Sequence, residues 1–365
     1  MTTRARIATG ALPDKFQPPM KFLSFLFGKK PIDQTPSVPD SPASDSAPAV
    51  RAREARKWSD AHLKFLAGFI NGAEYRPDER SYWADALRQP TGKAIQVFVE
   101  AGLLSSAPLA AKLESALKAT EIKALLRERG LPSSGRKAEG VARLVAADPA
   151  GMEAKVAGVV AYVCTDSGRA LAQGYLAREE ERKTLARQRS FELLRAGNLR
   201  QAALVVAEYE RAQVFPRGVG VDWNQRPSSE DLRQLQAILE GKPALLRDVA
   251  SADWPVLQLA AAMVELWGER SGREWLPEGF VGASNLDPET AIRMVLFAGG
   301  HRAKVEQFRQ SGCNRVEISG CGDGSCPACR KISGKKYRVS QVPELPHPEC
   351  THELGCRCMI LPSFD

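Results

Sequence analysis

The chain predicts a mainly α, multi-domain helical protein with a basic helix-loop-helix and a small β-containing zinc module at its C-terminus. Apolar residues recur at helical spacing from Trp58 to about residue 312, while strand-like alternation is confined to Arg315-Val316-Glu317-Ile318 and Lys336-Tyr337-Arg338-Val339. Six of the eight cysteines crowd into the last 45 of 365 residues. That length is enough for two or three domains with cores of their own. A hydrophobic content of 44% and a charged content of 26% are those of a globular protein. The net charge of +8 favours an anionic partner, nucleic acid being the commonest. No internal repeat is visible, and no run approaches the ~20 apolar residues that span a bilayer.

In order along the chain, residues 1–56 read as a disordered N-terminal segment and linker. The stretch Thr35-Pro36-Ser37-Val38-Pro39-Asp40-Ser41-Pro42 has too little apolar surface to offset ordering entropy. Within it, Phe22 to Phe27 is too short for a signal-peptide core and reads as a docking segment, with Met20 a plausible true start. Residues 57–111 read as a small helical domain. Ser59 caps a helix bearing Leu63, Leu66, Phe69 and Ile70, and a second helix runs from about Gly92 through Leu104. Residues 112–150 hold the helix-loop-helix, and 151–215 read as long amphipathic helices broken at Thr165-Asp166-Ser167-Gly168 and at Gly197-Asn198. Between Arg178 and Arg200, seven basic and four acidic residues read as a solvated helix face. Residues 216–312 form a second helical block. One helical stretch there spans Ser229 to about Gly268, and another starts with Asp287 as N-cap and Pro288 in its first turn and continues to Gly299-Gly300. Residues 313–365 form the zinc-knuckle-like module.

Between residues 117 and 147, Ile122, Leu125 and Leu126 share one helical face, and Gly130 can end that helix in the left-handed conformation. Val141, Leu144 and Val145 form the matching face of a second helix. The loop between them exposes Ser133, Ser134, Gly135, Arg136 and Lys137 at a helix N-terminus, where amides, hydroxyls and two cations converge as a phosphate clamp. Seven basic and three acidic residues fall in the segment. Its run Leu117-Lys118-Ala119-Thr120-Glu121-Ile122-Lys123-Ala124-Leu125-Leu126 and the following Ser-Gly-Arg-Lys loop resemble the SAP motif, a roughly 35-residue DNA-binding module. Gly140 departs from that pattern, standing where the family has a bulky apolar residue. The SAP-like helix-loop-helix implies, through that resemblance, sequence-tolerant binding of duplex DNA by Arg127, Ser134, Arg136, Lys137 and Arg143, with Gly135 in the same loop.

Cys326-Pro327-Ala328-Cys329 puts two thiols on one turn, and a second cluster some twenty residues later completes a tetrahedral zinc site. The expected ligands of this structural zinc ion are Cys326, Cys329 and Cys350 with one of Cys356 or Cys358. His347 is held in reserve and Cys321 is a bystander. Thiols concentrated in one place, with Cys164 alone in a helical region, fit a reducing cytoplasm better than a disulfide framework. The C-x-x-C … G-K … H-P-x-C … C-R-C order resembles the tail of phage Mu F-like and SPP1-type head morphogenesis proteins. That resemblance covers about 40 residues and implies a bacterial, phage-related chain; Thr351 to Gly355 interrupt its pattern.

The H-E-x-x-H, P-loop and G-x-S-x-G motifs are absent, and Thr91-Gly92-Lys93 lacks the upstream glycine of a Walker motif. His62 and His301 read as surface or capping residues. The sequence therefore predicts a non-enzymatic DNA-binding protein whose zinc module gives stability or contacts a protein partner. The alternatives are a phage-derived head-assembly protein and a DNA-processing enzyme with a diffuse active site.

Overall fold

A computed structural model describes residues 58–76, 82–215, 229–283, 286–320 and 322–363. The docking segment, the linker and Cys321 lie outside the described residues. The chain is mainly helical, with two three-stranded antiparallel sheets. Its described residues divide into two compact units: one holds those of 58–185 and 212–215, and the other those of 186–211 and 229–363.

The first unit opens with α1 (Asp60–Ala67), where the Ser59 hydroxyl accepts from the His62 amide as its N-cap. β1 (Ala73–Glu74), α2 (Trp83–Leu87), α3 (Thr91–Glu100) and β2 (Leu104–Ser106) follow. Phe65, Leu66, Phe69, Ile95 and Phe98 are buried together, with Trp58 packed on Phe98 at 5.0 Å between ring centroids. The helix expected to run through Leu104 ends at Glu100, because the chain turns at Gly102 (φ +68°) and pairs as a strand from Leu104.

Four short helices come next: α4 (Leu109–Ala116), α5 (Ala119–Glu128), α6 (Lys137–Ala147) and α7 (Pro149–Lys155). The chain then forms β3 (Ala161–Cys164), the central strand of the order β1-β3-β2. Register pairs Ala73 with Tyr162 and Leu104 with Cys164. Residues 151–215 are therefore not all helical. Cys164 sits buried on a strand rather than in a helix, with its thiol donating to the Leu66 carbonyl. Burial pushes that thiol up to about 11, so it stays protonated at neutral pH.

Helix α8 (Asp166–Arg195) begins in the first unit and ends in the second. It stops at Gly197 (φ +74°), where the amides of Gly197 and Asn198 bond back to Leu194 and Leu193. In the second unit α9 (Leu199–Arg211), α10 (Ser229–Leu239), α11 (Trp254–Trp267) and α12 (Pro288–Gln310) enclose an apolar core. The Asp287 carboxylate caps α12 through the amides of Glu289 and Thr290. That helix runs ten residues past the Gly299-Gly300 stop read from sequence, because Gly299 serves packing there. A Cβ at Gly299 would lie 2.9 Å from the Ile238 Cα and 3.0 Å from its nitrogen, so the glycine sets how closely α10 and α12 approach.

The C-terminal module consists of β4 (Arg315–Ser319), α13 (Pro327–Ile332), β5 (Lys336–Arg338) and β6 (Met359–Pro362), with the strand order β5-β4-β6. Val316, Ile318 and Ile360 turn inward and share their apolar core with α11 and α12. Gly299→Ala should lower stability by about 1–3 kcal/mol through overpacking against backbone, measured as a fall in thermal or denaturant midpoint.

Candidate nucleic-acid interface and thiol centre

Helices α4 to α7 close around Leu113, Ile122, Leu125, Leu126, Val141, Leu144, Met152 and Val156. Helix α5 ends in a full Schellman turn. Gly130 takes φ +67°, the Leu131 amide donates to Leu126 O at 2.8 Å, and the Gly130 amide donates to Arg127 O at 3.0 Å. Helices α5 and α6 open in the same way. Glu121 reaches back to the Lys118 amide at 2.6 Å and Glu139 to the Arg136 amide at 3.1 Å. Gly140, the departure from the SAP pattern, is buried against α5. Its Cβ would stand 3.0 Å from Ile122 Cγ2 and 3.2 Å from Leu126 Cδ1. The glycine lets the two helices approach at the point where a bulky residue would hold them apart.

The loop of residues 129–136 is fixed from within. Arg143 donates from its guanidinium to the carbonyls of Pro132 and Ser134, and from Nε to Glu139 O at 3.1 Å. The Lys137 ammonium donates to the Glu114 carbonyl, joining α6 to α4. Gly135 holds φ +97°, and a Cβ there would meet the Glu139 carboxylate at 2.3 Å. Arg129, which the sequence pattern did not single out, bonds Asp148 at 2.7 and 2.9 Å. Asp148 also caps α7 through the Gly151 amide at 2.9 Å, and the Arg129 guanidinium holds its carboxyl below the usual range.

The predicted residues thus fall into two groups. Arg143, Lys137 and Gly135 build the loop. Arg127, Arg136 and Ser134 are exposed, and Arg127 and Arg136 make no side-chain hydrogen bond or ion pair among the described residues. Exposed Lys123 joins them, lining with Ser133, Ser134 and Arg136 a shallow cavity of about 110 Å³. The expected amide contribution to a phosphate clamp is altered, because Glu139 already occupies the Arg136 amide.

Residues 115–149 match the family model of the SAP domain, so a SAP domain occupies this segment. Such a domain suggests binding of DNA or another nucleic acid. No curated protein matches the chain.

In the C-terminal module five cysteines are buried side by side. Cys326 caps α13, with Pro327 at its first position, and Cys329 follows one turn later. The thiol sulfurs form two triads, Cys326/Cys329/Cys350 and Cys329/Cys356/Cys358, each with all its sulfurs within 4.8 Å of one another. Cys326 and Cys350 lie 3.8 Å apart, as do Cys329 and Cys356. Four sulfurs at ~2.3 Å from a tetrahedral zinc stand about 3.8 Å from each other, a spacing that each pair has, while no four of these sulfurs all lie within 4.8 Å of one another.

Burial leads in pushing Cys329 far up and Cys350 to about 11, while the hydrogen-bonded Cys356 thiol, with burial second, pushes Cys358 far up. The Cys358 thiol and the His347 amide, at 3.3 Å from Cys356 Sγ, bring Cys356 down to about 5 despite its burial. Burial acts upward on Cys326 too, but the amides of Cys329 and Thr351 outweigh it and leave that thiol at about 7. His347, the reserve ligand, joins neither triad among the described residues; its Nδ1 accepts from the Glu349 amide at 3.1 Å. His352 is likewise committed, to the Leu354 amide and the Arg357 guanidinium.

A concavity of the second unit, about 590 Å³, gathers Glu240, Glu306 and Glu344 with His301, Arg302 and Arg309. Burial drives His301 down to about 4 and leaves it neutral at pH 7, and its Nδ1 has no hydrogen-bond partner among the described residues. Arg302 is spent on the Ala237 carbonyl at 2.6 and 3.2 Å. Among the described residues only cysteines come together in threes at metal-holding distance. His62 bonds Ser59 and Gln89, a local capping role.

No helix among the described residues is long and apolar enough to cross a membrane. Gly140→Leu should destabilise the SAP unit by about 1–3 kcal/mol, since Ile122 and Leu126 are fully packed; an early unfolding step in hydrogen exchange over residues 109–156 measures it.

Proposed function

We propose that the protein is a non-enzymatic binder of duplex DNA, docking its SAP domain on the phosphate backbone while a structural zinc ion holds its C-terminal module together. The reading is carried by Lys123 and Arg136, exposed cations lining the cavity at a loop that Arg143, Lys137 and Gly135 make rigid, with Arg127 exposed on the adjoining α5. Phosphate contacts from such side chains position a protein on a duplex without reading its sequence. Glu139, at the same loop, adds a negative charge that limits affinity.

Zinc is the ion favoured by an all-thiol donor set. The triad Cys326, Cys329 and Cys350 would hold it, with Cys356, 3.8 Å from Cys329 and bonded by the His347 amide, drawn in as the fourth ligand. Cys358 is then a surplus thiol. The bound ion supplies a cross-link between α13 and the chain end, and four thiolates leave it no open position for substrate.

A second reading, a phage-type head-assembly protein whose C-terminal module contacts other proteins, is favoured by one observation. Met359 and Leu361 on β6 are 53% and 42% exposed on the outer face of its sheet.

Duplex DNA binding by the full chain should weaken along a log–log salt series. Arg127→Ala/Arg136→Ala should reduce the slope by ~1.8, at ~0.9 for each phosphate that is no longer neutralised. Wild-type slope in that variant sinks the docking site. Metal analysis should find about one zinc per chain. Cys356→Ser should lose it, Cys358→Ser should keep it, and a chelator should lower the melting temperature of both wild type and Cys358→Ser.

A further inference from the structure

We propose that the C-terminal module carries a second phosphate-binding face, along α13 and β5, that engages the nucleic-acid backbone independently of the SAP domain. It rests, like the SAP reading, on nucleic acid being the ligand, but its residues and its unit are separate.

Residues 324–343 contain five basic side chains, Arg330, Lys331, Lys335, Lys336 and Arg338, and no acidic one. All five are exposed. The SAP segment 117–147 has a basic surplus of four and this shorter segment one of five. Other basic stretches, such as Arg178 to Arg200, carry carboxylates among their cations, whereas residues 324–343 carry none.

Local structure keeps these cations displayed. Arg330 and Lys331 lie in the last turn of α13. The turn that follows is pinned to β4, with the Gly334 amide donating to Ile318 O at 2.7 Å and the Ile318 amide to Lys335 O at 3.1 Å. The chain then enters β5, where alternation turns Tyr337 inward and Lys336 and Arg338 outward.

The cross-strand register supplies an independent observation. Arg338 stands directly opposite exposed Arg315 on β4. Like charges facing each other across an antiparallel pair destabilise it. Glu317 opposes Lys336 two residues further along, so the sheet has a means of balancing charge and leaves Arg315 and Arg338 unbalanced. A phosphate between the two guanidinium groups turns that repulsion into paired charge-assisted hydrogen bonds. Cations strung along a turn and a strand at the sheet surface match the repeating charge of a nucleic-acid backbone.

The test compares the full chain with two variants on one short duplex, by fluorescence anisotropy over a salt series. Lys331→Ala/Lys335→Ala/Arg338→Ala alters the proposed face, and Arg127→Ala/Arg136→Ala alters the SAP surface. Zinc content and melting temperature serve as fold controls. The face predicts that the triple variant loses ~2.7 units of slope at ~0.9 per phosphate, and that the SAP variant keeps a measurable slope of its own. The charge-preserving Lys331→Arg/Lys335→Arg/Arg338→Lys variant should retain wild-type slope, which separates loss of charge from loss of fold. Wild-type slope and affinity in the triple variant overturn the inference while leaving the SAP reading intact, and hand this face to an acidic protein surface. If only the SAP variant binds normally, the SAP reading falls and the second face stands. No binding by the wild type at low salt overturns both.

Discussion

The C-terminal unit turns on the burial of five thiols in the same apolar core as α11 and α12. The strands of its module are three to five residues long, and their inward residues are few: Val316, Ile318 and Ile360. So little apolar surface does not hold two chain segments some twenty residues apart against their conformational entropy. The thiols resolve this in one of two ways. Kept protonated, they pack as small hydrophobes; ionised around a cation, they cross-link the two segments. The environment pulls in both directions, lifting Cys329, Cys350 and Cys358 and lowering Cys326 and Cys356. A cation removes that conflict by stabilising every thiolate it touches. The same core then extends without a break from the cysteines to Leu257 and Ile292, so the module folds as part of the helical unit.

The SAP unit is stabilised by different means. It has no cross-link, and two of the cations that the SAP resemblance assigns to DNA are used internally: Arg143 on loop carbonyls and Lys137 on Glu114. A loop already fixed in its working shape loses little entropy when a ligand arrives. The cations left for contact sit exposed on α5 and at the loop's end, where their positive charge acts over a Debye length and speeds encounter with a polyanion.

The SAP segment was legible because its signature is local: two apolar stripes, a left-handed glycine and a basic loop within about 35 residues. Helix starts at Ser59 and Asp287 were legible for the same reason, since caps are written in three or four consecutive residues. Strands β1 to β3 were not. They are two to four residues long, and β1 and β2 each pair with β3, which lies more than fifty residues further along the chain; no alternation develops over such lengths. Gly140 and Gly299 look like defects in a helical pattern, because the helix each one admits lies elsewhere in sequence. The C-x-x-C spacing pointed to a thiol centre, yet Cys329 standing in both triads is a property of side-chain positions that spacing alone leaves open. Arg129 escaped notice because its partner, Asp148, is nineteen residues away and outside any short motif.

Met294 illustrates how chemical fragility follows from packing. Its thioether sulfur accepts a hydrogen bond from the Cys356 amide at 3.2 Å, and a Cβ at Gly355 would stand only 2.6 Å from that sulfur. The residue is 1% exposed. Conversion to the sulfoxide adds a polar oxygen where there is no room for one. At that burial peroxide meets the sulfur only when the module opens, and an oxidised Met294 would then keep the thiol centre from closing again.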